Sequence, residues 1–93
     1  MGEDDKLDLS NHELEYFQSR LPRLNLLIHL DLSYNKIVNL EHSAFAACVQ
    51  LEQLNLRGNR IEQVRGLESL GALIQLDLAE NLIERYACMV LLL

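Results

Sequence analysis

The sequence has few of the residues that build disulfide-bonded, metal-binding or membrane-spanning proteins. It contains no Trp and one Pro, and its two cysteines, Cys48 and Cys88, lack the spacing of a metal pair or a disulfide framework. Its longest apolar run, Tyr86 to Leu93, has 8 residues, whereas a membrane helix needs roughly 20. We therefore expect no metal, no cofactor and no membrane span.

Basic patches are also missing, and the formal net charge is −6. Residues 1–15 carry six acidic side chains against Lys6 alone, whereas the remaining 78 residues are nearly neutral. A protein that binds nucleic acid or an anionic membrane normally presents a basic surface. The sequence therefore predicts no nucleic-acid partner.

The first residues give no sign of export. Residues 1–6 are acidic and are not followed by the apolar stretch of a secretory signal. The sequence predicts a cytoplasmic protein, with the nucleus as the alternative.

Leucine is abundant, with 22 residues among 93, and most of these leucines fall into a repeat. Four segments align on the pattern LxLxxNx(I/L), which three of them match in full and the first matches except at the Asn position, and their starts are 23, 24 and 22 residues apart. A further leucine stands three residues before each of the last three segments. An internal period of this length is typical of solenoid proteins. The segments are Leu7–Leu14, Leu30–Ile37, Leu54–Ile61 and Leu76–Ile83.

Each Leu-x-Leu predicts a short strand with alternate side chains in the core. The strands would pair in parallel across neighbouring repeats, which requires an intervening arc. Apolar residues recur every third position in the arcs, as in Ile61, Val64, Leu67, Leu70 and Leu73. This period fits 3₁₀ or short helical turns. The second arc places Cys48 in the core as a packing residue.

A buried Asn follows three of the four strands. Asn35, Asn59 and Asn81 each carry a donor and an acceptor that could satisfy backbone groups within and between repeats. The pattern predicts a structural ladder of these three residues. His12 takes the Asn position in the first repeat, so we expect a weaker or displaced first rung.

The pattern LxxLxLxxNx(I/L) resembles the leucine-rich repeat, and the repeat length is similar to that of the short cytosolic subclass. That subclass includes the regulatory subunit of type-1 protein phosphatase. Residues 27–37 and 54–62 also resemble the repeat region of nischarin. The resemblance implies an α/β solenoid of about four repeats in a single domain, 1–93. It further implies a short parallel sheet on the concave face, arcs on the convex side, and non-catalytic protein recognition or scaffolding on the concave sheet.

Functional information should lie in the side chains between the leucines. The strand positions expected to face solvent form columns, one of which contains Asp8, Asp31, Asn55 and Asp77 and the next Ser10, Ser33, Arg57 and Ala79. Paired carboxylates suit acid–base chemistry or a hard cation, but an open sheet excludes no water, so a polar binding surface or solvated filler is favoured. Tyr34 and Arg57 are the preferred contacts, because these types are enriched at binding hot spots. The predicted partner-binding residues are His29, Asp31, Tyr34, Gln53, Asn55, Arg57, Gln75, Asp77 and Glu80.

The last repeat is expected to be incomplete. Extending its period of three gives Ile83, Tyr86, Met89 and Leu92, and no further Leu-x-Leu strand or polar cap follows. Stacked repeats need a polar outer face at each end. The alternative interpretation is an incomplete repeat fragment with a structural role. Its C-terminal end would pack on a further domain or chain, or self-associate.

Overall fold

A computed structural model describes residues 5–17, 21–40 and 44–83. These residues contain four short strands, each from one repeat: β1 (Lys6–Asp8), β2 (His29–Asp31), β3 (Gln53–Asn55) and β4 (Gln75–Asp77). The strands form one sheet in the order β1-β2-β3-β4. All neighbours are parallel. The expected leucine-rich repeat solenoid is therefore confirmed.

The sheet register aligns equivalent positions of successive repeats. Leu7 pairs with Leu30, Leu30 with Leu54, and Leu54 with Leu76. The same alignment extends past the strands, where the N–H groups of Leu9, Leu32 and Leu56 donate to the carbonyls of Asp31, Asn55 and Asp77 at 2.8–2.9 Å. Each repeat is therefore joined to the next by repeated backbone hydrogen bonds.

The arcs are built from tight turns. One 3₁₀ helix spans Leu24–Leu26, and no α-helix occurs among the described residues. Hydrogen bonds between residues three apart recur at matching arc positions, where Leu27, Leu51 and Leu73 donate to Leu24, Cys48 and Leu70 at 3.2–3.3 Å. These bonds explain the apolar period of three, because residues i and i+3 share one face of such a turn.

The core lies between the sheet and the arcs of the inner repeats. Leu32, Phe45, Cys48, Leu56 and Ile61 are fully buried. The ring of Phe45 stacks on that of Phe17, with centroids 5.1 Å apart. Burial raises the pKa of the Cys48 thiol, which keeps the thiol protonated and agrees with a packing role.

The three Asn side chains connect neighbouring repeats. Asn59 Nδ2 donates to the carbonyls of Leu32 and Leu56 at 3.0 and 2.9 Å, and its Oδ1 accepts from Ile37 N–H at 3.1 Å. Asn35 and Asn81 make the equivalent bonds to the repeats that precede them. Each Asn thus satisfies backbone groups of two repeats at once.

His12 behaves differently from the three Asn residues. Its side chain is exposed, and its Nδ1 lies 2.6 Å from the carbonyl oxygen of Ser10 in its own repeat. Since a carbonyl only accepts, Nδ1 is the donor. The Asn35 side chain instead reaches back to the first repeat and accepts from the His12 N–H at 2.9 Å.

The expectation of an incomplete last repeat concerns residues 84–93, which lie outside the described residues. Within the described ranges, no helix has the length and apolar character needed to cross a membrane.

Candidate functional site

The sheet face opposite the arcs is the candidate functional site. Its first column contains His29, Gln53 and Gln75 and its second contains Asp31, Asn55 and Asp77, as the strand register aligns them. These six side chains line one open depression of about 450 Å³ together with Lys6 and Asp8. The structure therefore brings the six predicted strand residues onto one surface, which we call the sheet face.

The second column has a structural function that its sequence position did not reveal. Oδ1 of Asp8, Asp31, Asn55 and Asp77 accepts the backbone N–H two residues later, at 2.9–3.0 Å. This is the Asx turn, in which a short side chain closes the bend at the end of a strand. The recurrence of Asp or Asn at the same place in all four repeats is the signal that could have indicated it.

One of these carboxylates also shows an electrostatic effect. The Ser10 hydroxyl and backbone N–H donate to Asp8 Oδ1 at 2.6 and 2.9 Å. These two hydrogen bonds, with a smaller contribution from the charge of His12, lower the pKa of Asp8 from its ordinary value. The Asp8 carboxylate is therefore ionised at neutral pH and held in a fixed orientation.

The three remaining predicted residues, Tyr34, Arg57 and Glu80, form a network across the second, third and fourth repeats. Arg57 Nε donates to Glu80 Oε2 at 2.8 Å, and Arg57 Nη1 lies 3.5 Å from Asp77 Oδ2. Tyr34 Oη donates to the same Glu80 oxygen at 3.3 Å. Hydrogen bonds to Tyr34 and Glu80 raise the pKa of Arg57 above its ordinary value. These three side chains are thus joined by contacts between repeats.

Gly58 supports the tyrosine in this network. Its φ angle is +73°, and a Cβ built there would lie 2.6 Å from Tyr34 Cε1. The Tyr34 ring therefore rests on the backbone of the next repeat, and a side chain at position 58 would displace it. Tyr34 remains 48% exposed, so the ring is supported and still accessible.

The expectation that Ser33 faces solvent is wrong, because this residue is only 5% exposed. Its hydroxyl turns back and donates to Asp31 Oδ1 at 2.6 Å. Ser33 follows the end of β2, so the strict alternation of strand side chains no longer applies to it. At the equivalent position of the third repeat, Arg57 extends across to Asp77 and Glu80 instead.

The sheet face is an open polar surface. Among residues 5–17, 21–40 and 44–83, no three His, Cys, Asp or Glu side chains are grouped so that they could hold a metal ion. The polar groups instead alternate in type and charge along an extended surface. This arrangement suits contact with another macromolecule.

The chain belongs to the leucine-rich repeat family. The family model for leucine-rich repeats matches residues 5–61, and a second model of the same description matches residues 50–73. Domains of this family generally act in protein–protein interaction.

Three known proteins with similar sequences are each matched over only part of their length. The chain is 41% identical to human serine/threonine-protein kinase 11-interacting protein over 84% of its length, which is 7% of that protein. It is 35% identical to Tsukushi-A of Xenopus laevis, covering 85% of the chain and 24% of the relative. It is 37% identical to leucine-rich repeat serine/threonine-protein kinase 1 of Caenorhabditis elegans, covering 82% of the chain and 3% of the relative. The chain thus spans a quarter or less of these relatives, and no solved structure matches it.

Proposed function

We propose that this protein is a non-catalytic interaction module in the cytoplasm, and that it binds another protein through its sheet face together with Tyr34, Arg57 and Glu80, which adjoin that face at Asp77. The single observation that carries the proposal is the Tyr34–Arg57–Glu80 network. Tyr and Arg are the side chains that contribute most often to binding hot spots. Here Tyr34 is exposed and Arg57 is half-buried, and both make contacts between repeats.

Immobilisation matters because ordering a flexible side chain on binding costs about 0.5–1.5 kcal/mol. In this protein the contacts with Glu80 and Gly58 already order Arg57 and Tyr34 in the free chain. The adjacent Asp and Gln columns offer polar groups to an extended segment or a loop. The name of the human relative describes it as an interacting protein, which agrees with this type of function.

The proposal is tested by affinity capture followed by a binding titration. The wild-type chain is the bait, compared with a variant that combines Tyr34→Ala and Arg57→Ala. We expect the double variant to lose a partner that the wild type retains, with a dissociation constant raised at least about tenfold, because two hot-spot side chains are removed.

The matched control is Val49→Ala combined with Gln50→Ala, since both residues are exposed on the second arc and away from the sheet face. This control should retain the partner. Melting curves of all three proteins identify any loss of fold. Equal binding by the wild type and a folded Tyr34→Ala, Arg57→Ala variant would exclude the network as the binding site.

A second candidate function is structural, in which the end of the array packs on a further domain or chain. One observation favours it: β4 is an edge strand, and Leu76 and Leu78 are only partly buried, whereas their counterparts Leu54 and Leu56 are 2% and 0% exposed. A capping repeat with a polar outer face, fused after residue 93, should then raise the melting temperature by several degrees. An unchanged melting temperature would speak against this candidate.

A further inference from the structure

The open edge of β4 has a defined pattern of hydrogen-bonding groups. Gln75 N–H donates to Glu52 carbonyl, and Asp77 carbonyl accepts from Leu56 N–H, so these two residues direct their backbone groups toward β3. Successive residues of a strand direct these groups to opposite sides. Leu76 therefore directs both its N–H and its carbonyl to the open edge.

The same edge continues on both sides of Leu76. The N–H groups of Leu9, Leu32 and Leu56 each donate to the following repeat, whereas Leu78 N–H donates to no other described residue. Likewise the carbonyls of Ile28 and Glu52 accept from the following repeat, whereas the equivalent Ile74 carbonyl accepts from none within the described ranges. Ile74, Leu76 and Leu78 thus present alternating acceptors and donors.

Apolar surface accompanies these groups. Ile74 is 79% exposed and Leu82 is 62% exposed, the two largest values among the exposed large apolar side chains. Both lie in the fourth repeat, one before β4 and one after it. An edge with open backbone groups and exposed apolar side chains is suited to pairing with another strand.

We propose that β4 pairs in antiparallel orientation with β4 of a second copy of this chain, centred on a Leu76–Leu76 pair. This inference names an occupant for the second candidate function and rests on it. The two Leu76 residues would exchange N–H and carbonyl groups across a twofold axis, and each Leu78 N–H would donate to the Ile74 carbonyl of the other copy. The sheet would then have eight strands, with Ile74 beside Leu78 on the core side.

Charge favours this antiparallel register over a head-to-tail arrangement, in which β1 of one copy would pair with β4 of another. In the antiparallel pair, Gln75 of each copy faces Asp77 of the other, so an amide meets a carboxylate. Head-to-tail stacking would continue the parallel register and place the first repeat on β4. Asp8 would then lie beside Asp77, and the acidic segment 1–15 would approach Glu80. A head-to-tail contact also leaves β4 free on the last copy, so that the assembly can continue, whereas the twofold contact uses β4 of both copies and stops at a dimer.

Substitutions of Gln75, which is exposed on the sheet face, separate the two arrangements. Sedimentation equilibrium of the 93-residue chain, from low to high micromolar, should show a reversible dimer. In the antiparallel pair, Gln75→Asp creates two like-charge pairs, one between each new carboxylate and Asp77 of the other copy, and should weaken the dimer about threefold to tenfold. Gln75→Lys creates two opposite-charge pairs and should strengthen it by a similar factor.

Head-to-tail stacking predicts the reverse order, because Gln75 would then face Lys6. That result, or a chain that stays monomeric throughout, overturns the proposal. Ile74→Lys should also weaken the dimer, with Val49→Lys as the matched control at an exposed apolar position away from the edge. Equal effects of these two lysines would likewise contradict it. If the chain is monomeric but a fused capping repeat still raises its melting temperature, then a second copy does not cover β4. The second candidate function would in that case still be supported.

Discussion

The inner and outer repeats have the same consensus residues in different environments. In the second and third repeats the strand leucines Leu30, Leu32, Leu54 and Leu56 are at most 2% exposed. Their counterparts Leu7, Leu9, Leu76 and Leu78, in the first and fourth repeats, are all only partly buried. The difference shows that a repeat does not build its own core, because each strand leucine is covered by the repeats on both sides.

Polar groups follow the same rule. Asn59, between two neighbours, bonds to backbone groups of its own and the preceding repeat, and the following Asn81 satisfies its Leu56 carbonyl and Ile61 N–H in turn. His12 has no preceding described repeat, and its ring reaches only Ser10. The first repeat therefore lacks the side-chain bonds that each Asn makes to the backbone of the repeat before it.

The largest expected effect is the loss of a core leucine. Leu56→Ala should lower the free energy of unfolding by about 2–5 kcal/mol, because a fully buried side chain leaves a cavity. Leu78→Ala removes the same atoms from a partly exposed site and should cost less than half as much. Urea denaturation of both variants measures the difference. Equal losses would mean that the outer repeat is as well covered as the inner one.

The next effect is the loss of a ladder side chain. Asn59→Ala should lower the free energy of unfolding by roughly 1–3 kcal/mol, because it leaves the buried Ile37 N–H without a partner and takes one of two Asn donors from the Leu32 and Leu56 carbonyls. His12→Ala is the comparison at the end of the array, and its exposed ring should contribute little. Thermal melts of the two variants provide the test, and similar losses would contradict the ladder.

The third effect concerns the support beneath Tyr34. Gly58→Ala should destabilise by about 1–2 kcal/mol, because alanine disfavours a φ of +73°. The new Cβ would also displace the Tyr34 ring. Gly71→Ala is the matched control, since a Cβ there meets nothing within 4 Å. Melting curves of both variants measure stability, and tyrosine fluorescence reports the environment of the Tyr34 ring. If Gly58→Ala matches Gly71→Ala in both measurements, the contact between Tyr34 and Gly58 is excluded.

The sequence predicted the fold well because the fold depends on a local, repeated pattern. The leucine spacing places Leu30, Leu54 and Leu76 in register, and no long-range information is needed beyond the repeat itself. Details that depend on side-chain direction were not predicted. Ser33 turns inward onto Asp31, and Tyr34 settles on Gly58 in another repeat. Such contacts depend on pairs of non-consensus residues, which a consensus pattern does not encode.

The candidate site was predicted in part for the same reason. The columns follow from register, so His29, Gln53 and Gln75 align as the pattern implies. The bonding of Arg57 with Asp77 and Glu80 required the curvature of the chain after each strand, including the positive φ angles of Tyr34, Gly58 and Glu80. These angles occur at the residue that follows each turn closed by an Asx side chain.

The smallest expected effect is a change in the pKa of Asp8, which lies in the first repeat. Hydrogen bonds from Ser10 lower the pKa of Asp8 below 3.8, its ordinary value. The ionised Asp8 therefore stabilises the folded chain fully above pH 3.8, and this contribution is lost as the pH falls below that value toward the folded pKa. Ser10→Ala removes the hydroxyl donor but keeps the backbone N–H, so the pKa of Asp8 should move part of the way back toward 3.8. Carboxyl chemical shifts followed by NMR from pH 2 to pH 6 measure this change. A pKa of Asp8 that does not change in Ser10→Ala would show that the hydroxyl contact is absent in solution and that the first turn is closed by the backbone alone.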